Sequence, residues 1–207
     1  MVLGYHEASW SRKVDVLYLY VILDVYSRYV VGWTVVIRES AELARRLIRH
    51  SYQTQKVQPG KLTLHADRGS SMASKPVAFL LADLGVVKSH SRTHVSNDNP
   101  FSESQFKTLK YRPDFPKKFG SLEEARKFCQ GFLAWYNHEH RHVGVALLTP
   151  AVVHSGQASE RIDQRAQVLA QAYQDHPERF VRNAPRPLPL PKVSYINKPV
   201  TENESQS

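Results

Sequence analysis

Cysteine is almost missing from this chain: one residue in 207, Cys129. A single thiol excludes an internal disulfide and any cysteine-rich zinc module. Its place in an apolar helical pattern marks it as a core thiol rather than a nucleophile. Long apolar runs are lacking too. No stretch reaches the roughly 18 to 20 residues of a membrane span, and the N-terminus shows no charged-then-apolar signal peptide. Both absences predict a cytoplasmic protein with no membrane partner. Acids are scarce against bases, 19 Asp and Glu to 28 Lys and Arg, giving a net charge of +9 and an isoelectric point near 9.7. That imbalance favours an anionic partner, nucleic acid being the commonest, although net charge governs association rather than fold. What the chain does hold is 42% apolar residues, enough for one well-buried domain plus an appendage.

The first 13 residues carry little pattern. From Val14 to Leu23 the chain is dense in β-branched and aromatic residues and reads as a buried strand; Tyr29 to Ile37 reads as a second, joined to the first as a hairpin. Helical spacing follows from Ser40, the expected N-cap, to Gln53, with Leu43, Leu47 and Ile48 on one side and Arg45, Arg46 and Arg49 on the other. Leu62 to Ala66 is the next strand, Lys75 to Leu84 a helix with Pro76 in its first turn, and Val86 to Ser89 a short strand. A polar loop from His90 to Asn99 leads to a helix through Tyr111, capped by Asn99 and opened by Pro100, with Pro113 and Pro116 beyond it. Ser121 to Glu124 spells a capping box before a long helix carrying Ala125, Phe128, Phe132, Trp135 and Tyr136. Gly156 marks a boundary. Beyond it lie a charged helix from Glu160 to Ala172, the proline-rich Pro185 to Pro191, and a polar end, Thr201 to Ser207, expected to be disordered. The succession is α/β, a mixed sheet flanked by helices.

Two carboxylates stand out. Asp67 closes the apolar strand ending His65-Ala-Asp, and Glu103 lies one turn into the helix that follows Asn99-Pro100; thirty-five residues lie between them. Acids at a strand end and on a facing helix suit a divalent cation such as Mg²⁺, which takes oxygen ligands. Two such cations support in-line displacement at phosphorus. Each acid alone also has an ordinary structural reading, Asp67 as a turn residue and Glu103 as first-turn helix decoration. Lys107 and Lys110, four and seven residues past Glu103, share its helical face and are placed to meet a phosphate backbone. The bland reading of that face is one weak Glu-to-Lys helix pair.

Four segments then carry a resemblance: Val21-Ile-Leu-Asp-Val-Tyr-Ser-Arg-Tyr-Val-Val-Gly-Trp33, His65-Ala-Asp-Arg-Gly-Ser70, Ser96-Asn-Asp-Asn-Pro-Phe-Ser-Glu-Ser-Gln-Phe-Lys-Thr-Leu-Lys110 and Phe132-Leu-Ala-Trp-Tyr-Asn-His-Glu-His-Arg-His142. Together they resemble the catalytic core of insertion-sequence transposases related to retroviral integrases. The likeness runs from about residue 14 to Gly156, with a similar tail through Phe180 and Asn197. It implies an RNase H-like fold with a five-stranded mixed sheet between helices, and a site of three acids and two Mg²⁺ or Mn²⁺ ions that cuts and joins DNA ends. By that resemblance Asp67 is the second catalytic and metal-binding acid, Glu103 the third, and Lys107 and Lys110 DNA contacts. Arg68 and Arg92 join them as candidate phosphate contacts, as Arg28 could. The active form is expected to be a homo-oligomer on DNA. Residues 1–156 form the expected core, with its first strand degraded or truncated, and 157–207 a C-terminal helix and proline-rich tail.

The family's first acid is due near position 4, where this chain has Gly4. Asp15 lies too close to Asp24 to sit on the preceding strand, Glu7 lacks the family's pattern, and Asp24 itself reads as structural. The family's upstream DNA-binding region is not seen either. These departures predict a weak or inactive product from a truncated or frameshifted copy. The alternatives are a non-catalytic DNA-binding remnant that pairs with a full-length transposase and, less well supported by the segment after Trp135, an RNase H-like nuclease of other purpose. His138 and His142 have the spacing of zinc ligands on one helical face, but without a third ligand they read as ordinary surface or helix-end residues. Trp33 and Trp135 read as core rather than as base-stacking platforms.

Overall fold

The computed structural model describes residues 1–8, 17–67, 70–91 and 99–196, with backbone alone at 2–8 and 70. By its internal contacts the chain divides into two units. One comprises Met1–Val25, Val30–Phe132 and Tyr195–Ser207, the other Tyr26–Tyr29 and Leu133–Ser194.

In the first unit the strands are β1 (Val2–Ala8), β2 (Leu17–Leu23), β3 (Val30–Val36), β4 (Thr63–Ala66) and β5 (Val87–His90), in the spatial order β3-β2-β1-β4-β5. β2 pairs antiparallel with both β1 and β3, while β1 with β4 and β4 with β5 run parallel. A strand with neighbours on both edges and helices over both faces should be apolar throughout. β2 is so: six of its seven residues are buried and Tyr18 is partly so. The weakly patterned opening of the chain therefore contains a strand, β1, near the middle of the sheet. Gly, His and Glu within it are poor strand formers, and pairing along both edges overrides that preference.

Three helices, α1 (Ala41–Thr54), α2 (Ser70–Ala73) and α3 (Lys75–Asp83), accompany one sheet face. Their apolar sides meet Tyr20, Ile22 and Leu64 in a core that includes Leu47, Ile48, Met72, Val77, Leu80 and Leu81. Ser40 occupies the N-cap position of α1, but its side chain makes no capping bond; its backbone N–H instead donates to the Tyr20 hydroxyl. α4 (Pro100–Lys110) packs against β1 and β2. α5 (Leu122–His138) opens on one half of its capping box: the Glu124 N–H donates to Ser121 Oγ at 3.1 Å, while the Glu124 carboxylate accepts from the N–H of Gly120, one residue before the cap, rather than from Ser121. Between α4 and α5 the prolines halt helix formation, and Phe115 and Phe119 pack edge-on against each other and onto Phe128. Cys129 is buried, and burial pushes its thiol up to about 12, so it is inert packing.

Gly32 of β3 lies directly against α1. A Cβ built there meets Ser51 Oγ at 2.0 Å and Leu47 Cδ1 at 3.3 Å. Gly32→Ala is expected to cost about 1–3 kcal/mol through overpacking. Ser51→Ala, which removes a buried hydroxyl that has no partner, should be close to neutral alone and should recover part of the loss in the double variant. Urea midpoints of the three proteins check this; a Gly32→Ala midpoint equal to the native one would refute the close approach.

The second unit holds the end of α5, α6 (Pro150–His154) and α7 (Ala158–Asp175). Val145, Leu148, Val153 and Ala158 form its apolar cluster, with Tyr26, Ile162 and Leu190 against it. Ala146 and Leu147 sit in the left-handed region, at φ 58° and 55°, and Arg165 donates to both of their carbonyls, at 2.7 and 2.9 Å. That guanidinium satisfies carbonyls which the unusual backbone turns away from regular pairing. The Tyr26 hydroxyl donates to the Pro191 carbonyl at 3.0 Å, so the proline-rich segment is tied down within this unit.

Candidate active site

Asp67 follows directly on the last residue of β4, at the carboxyl end of a parallel pair of strands, where open α/β sheets commonly place their sites. The register of β4 and β5 pairs His65 with Ser89 and Ala66 with His90, so Asp67 comes opposite Ser91. The Ser91 hydroxyl donates to Asp67 Oδ1 at 2.7 Å. Behind it, the buried His65 ring contacts Ser91 Oγ through Nε2 at 3.3 Å and Ser89 Oγ through Nδ1 at 2.9 Å. Because the Ser91 proton goes to the carboxylate, its oxygen accepts from His65 Nε2–H, which leaves Nδ1 to accept from Ser89 in the neutral ring.

The second Asp67 oxygen, Oδ2, accepts from the Asn99 side-chain amide at 3.1 Å. Asn99 stands at the N-cap position of α4, as expected, but its side chain makes no capping bond and is spent on Asp67 instead. The start of α4 is thereby tied to the end of β4. One turn further on, the Glu103 N–H donates to the Asn99 carbonyl at 3.2 Å, which puts the Glu103 carboxylate on the first turn beyond this junction, exposed. Lys107 and Lys110 follow on the exposed side of α4. Among the described residues no ion pair links either lysine to Glu103, so the weak helix pair of the bland reading is not formed. Arg68 and Arg92 lie outside the described residues.

The donor set suits a hard divalent cation. Asp67 is exposed and among the described residues receives hydrogen bonds from the neutral Ser91 and Asn99, and Glu103 is exposed as well. Among the described residues no group of three or more His, Cys, Asp or Glu comes together as a metal cluster. Backbone pairing identifies the residue beside Asp67. β1 runs parallel to β4 with Val2 opposite His65 and Leu3 opposite Ala66, so the next step sets Gly4 beside Asp67. Glu7 is three residues further along β1, roughly 10 Å away at strand rise.

Two models of the integrase core domain match the sequence, one over residues 6–96 and the other over 84–150. The transposase for insertion sequence element IS904 of Lactococcus lactis subsp. lactis is 32% identical over 142 residues, which cover 67% of this chain and 54% of that protein. Transposase InsF for insertion sequence IS3A of Escherichia coli is 30% identical over 135 residues, 65% of this chain and 46% of that protein. The chain belongs to the insertion-sequence transposases of the integrase-like DDE family. It spans about half the length of the curated relatives it matches. Among solved structures, the catalytic core domain of BIV integrase superposes with a TM-score of 0.54 at 18% identity, over 77% of this chain and 97% of that one. The simian T-cell lymphotropic virus intasome, solved with PP2A regulatory subunit B56 gamma, superposes with a TM-score of 0.57 at 16% identity, over 97% of this chain and 58% of that one. The transposase fold is RNase H-like α/β.

His138 and His142 do not form a metal pair on a helix face. α5 ends at His138, and His142 forms an isolated antiparallel bridge with Leu148. His142 is instead packed with aromatic rings, 4.9 Å from Tyr136 and 4.4 Å from His140. Burial, then the charges of His140 and Arg28, push its imidazole down to about 4. The unfolded chain binds a proton at His142 below the ordinary 6.5 while the folded chain does not until about 4. Stability contributed by the neutral ring is therefore complete above pH 6.5 and declines as the pH falls toward 4. His142→Asn should flatten that part of the urea-midpoint profile; parallel profiles for the two proteins would show that His142 is not responsible. Trp135 is half-buried with His140 against its ring at 4.7 Å, and Trp33 is half-buried as well, so neither is a fully enclosed core residue.

Sequence reasoning passed over Ser91, Ser89, His65 and Asn99 as site residues. A signal existed for three of them: His65 and Asp67 are two apart on one strand end, as are Ser89 and Ser91 on its parallel neighbour, so a period of two places all four on one face.

Proposed function

We propose that the chain is the catalytic-core portion of a transposase that cuts and joins DNA ends, built on the five-stranded mixed sheet. Asp67 and Glu103 serve as its metal-binding acids, and the cations are Mg²⁺ or Mn²⁺. The reading rests above all on the junction at Asn99, which ties a strand-end carboxylate to the helix turn that carries the second acid. Bound there, a pair of divalent cations supplies activation of an attacking oxygen and charge relief for the leaving oxygen at phosphorus. The protein's part is positional. Ser91 and Asn99 hold one Asp67 oxygen each, so the carboxylate is oriented before any substrate arrives.

Lys107 and Lys110, with Arg68 and Arg92, are assigned to the DNA backbone, and the working form is a homo-oligomer on paired DNA ends. Phosphate contacts make affinity fall steeply with salt. Binding of the purified chain to a duplex of its element's end, followed across a salt series, tests this. Lys107→Ala and Lys110→Ala should each weaken binding uniformly across sequences and lower the log–log salt slope by about 1. Unchanged slopes in both variants would remove α4 from the DNA interface.

A second reading, a DNA-binding protein without turnover, is favoured by one observation: the strand position beside Asp67 is Gly4. It predicts the same salt dependence with no cleavage under any metal.

A further inference from the structure

Asn99 is 4% exposed, and among the described residues only the nitrogen of its two amide atoms has a partner; Oδ1 is buried and has none there. The assignment of the two atoms follows from chemistry, since a carboxylate oxygen only accepts and the atom 3.1 Å from Asp67 Oδ2 must be the donor. The planar amide then keeps Oδ1 beside that contact, within roughly 5 Å of the carboxylate. An asparagine serving as a helix cap would use this oxygen on the first-turn N–H groups. Here no such bond forms, and a neutral oxygen acceptor is left unspent on the residue that holds Asp67 and opens the helix carrying Glu103.

We propose that Asn99 is a positioning residue of the metal site, resting on the assignment of Asp67 and Glu103 as its acids. Nδ2 fixes the Asp67 carboxylate, and Oδ1 accepts a hydrogen bond from a water of the cation's hydration shell. Mg²⁺ and Mn²⁺ retain several waters when held by few carboxylates, so a neutral acceptor at that distance has a donor to meet. Groups that orient metal ligands in this way typically contribute 10–100-fold to metal affinity. Ser91, by contrast, already meets a partner on both sides, donating to Asp67 and lying against the His65 ring.

Mn²⁺ binding, read from the free-ion signal in electron paramagnetic resonance, tests the assignment on the native chain, Asn99→Ala, Asn99→Asp and Asp67→Asn. Asn99→Ala is expected to raise the Mn²⁺ dissociation constant about 10–100-fold while circular dichroism remains native. A residue that only braces the helix would change the melting temperature and leave that constant alone. Asn99→Asp keeps an oxygen and sets a second charge against Asp67, so it should melt lower than the native chain without metal and gain more from added Mn²⁺. A dissociation constant for Asn99→Ala within twofold of native overturns the proposal. Should Asn99→Ala fail to fold, Asn99→Asp decides, and a Mn²⁺-induced rise no larger than the native one overturns it. If the native chain and Asp67→Asn bind Mn²⁺ equally, the metal site itself is wrong and Asn99 falls with it; native binding that only Asn99→Ala leaves intact sinks this inference alone.

Discussion

Gly4→Asp raises metal-dependent cutting and joining of DNA ends at least about a hundredfold over the native chain, a difference near 3 kcal/mol in activation free energy. The expectation follows from register. β1 and β4 run parallel, and the step beyond Leu3 opposite Ala66 sets residue 4 next to Asp67, about 4.8 Å away across the sheet. Registered neighbours on adjacent strands share a face, so an aspartate at 4 presents its carboxylate beside that of Asp67. A divalent cation, if bound there, would offset the repulsion of the two acids, and residue 4 would then supply one more charged oxygen to hold it. Gly4→Asn, matched in size and lacking charge, is the control and should gain nothing. The assay is cleavage and strand transfer on a labelled duplex of the element's end with Mn²⁺. Equal rates for the native chain, Gly4→Asp and Gly4→Asn would show that residue 4 is not the position of the third acid, and would favour the DNA-binding reading.

In the Gly4→Asp protein, Asp67→Asn and Glu103→Gln should each lower that activity by on the order of a thousandfold, about 4 kcal/mol. Both substitutions preserve shape and remove a charged oxygen ligand. Both acids are exposed, so global stability should change little. For Asp67 the shift is expected to be the larger of the two, because its oxygens accept from Ser91 and Asn99 and an amide in its place must turn one donor toward another. Melting curves taken beside the rates separate loss of chemistry from loss of fold. A Glu103→Gln enzyme that kept most of its rate would leave α4 as a DNA-facing helix and nothing more.

Much of this was legible in the chain because it is local. β2 announces itself by a run of β-branched and aromatic residues, expected over Val14 to Leu23 and observed over Leu17–Leu23 of the described residues, and α5 by its N-cap and apolar spacing, realised within a residue or two of expectation. Asp67 and Glu103 were proposed for the same reason, since each sits in a short segment whose neighbours single it out. β1 was not legible. Val2–Ala8 has no strand pattern of its own, and it is a strand because β2 and β4 claim its two edges. Asn99 was misjudged in role for a related cause: an Asn before Pro100 is a cap by local rule, and a carboxylate thirty-two residues earlier in the chain competes for its amide and wins. The histidines agree with the ordinary reading, since a spacing of four means a shared face only if the helix continues, and α5 stops at His138.

By itself, then, the sequence determined the α/β class, the family and the basic charge, and it nominated two acids with the lysines that follow the second, all of which are written in composition or in segments of a dozen residues. Only the tertiary structure decided which residue stands beside Asp67, what holds its two oxygens, and that Asn99 joins strand to helix. Those are matters of register and of partners brought together from opposite ends of the core, and a pairing between distant segments leaves no mark in either segment alone.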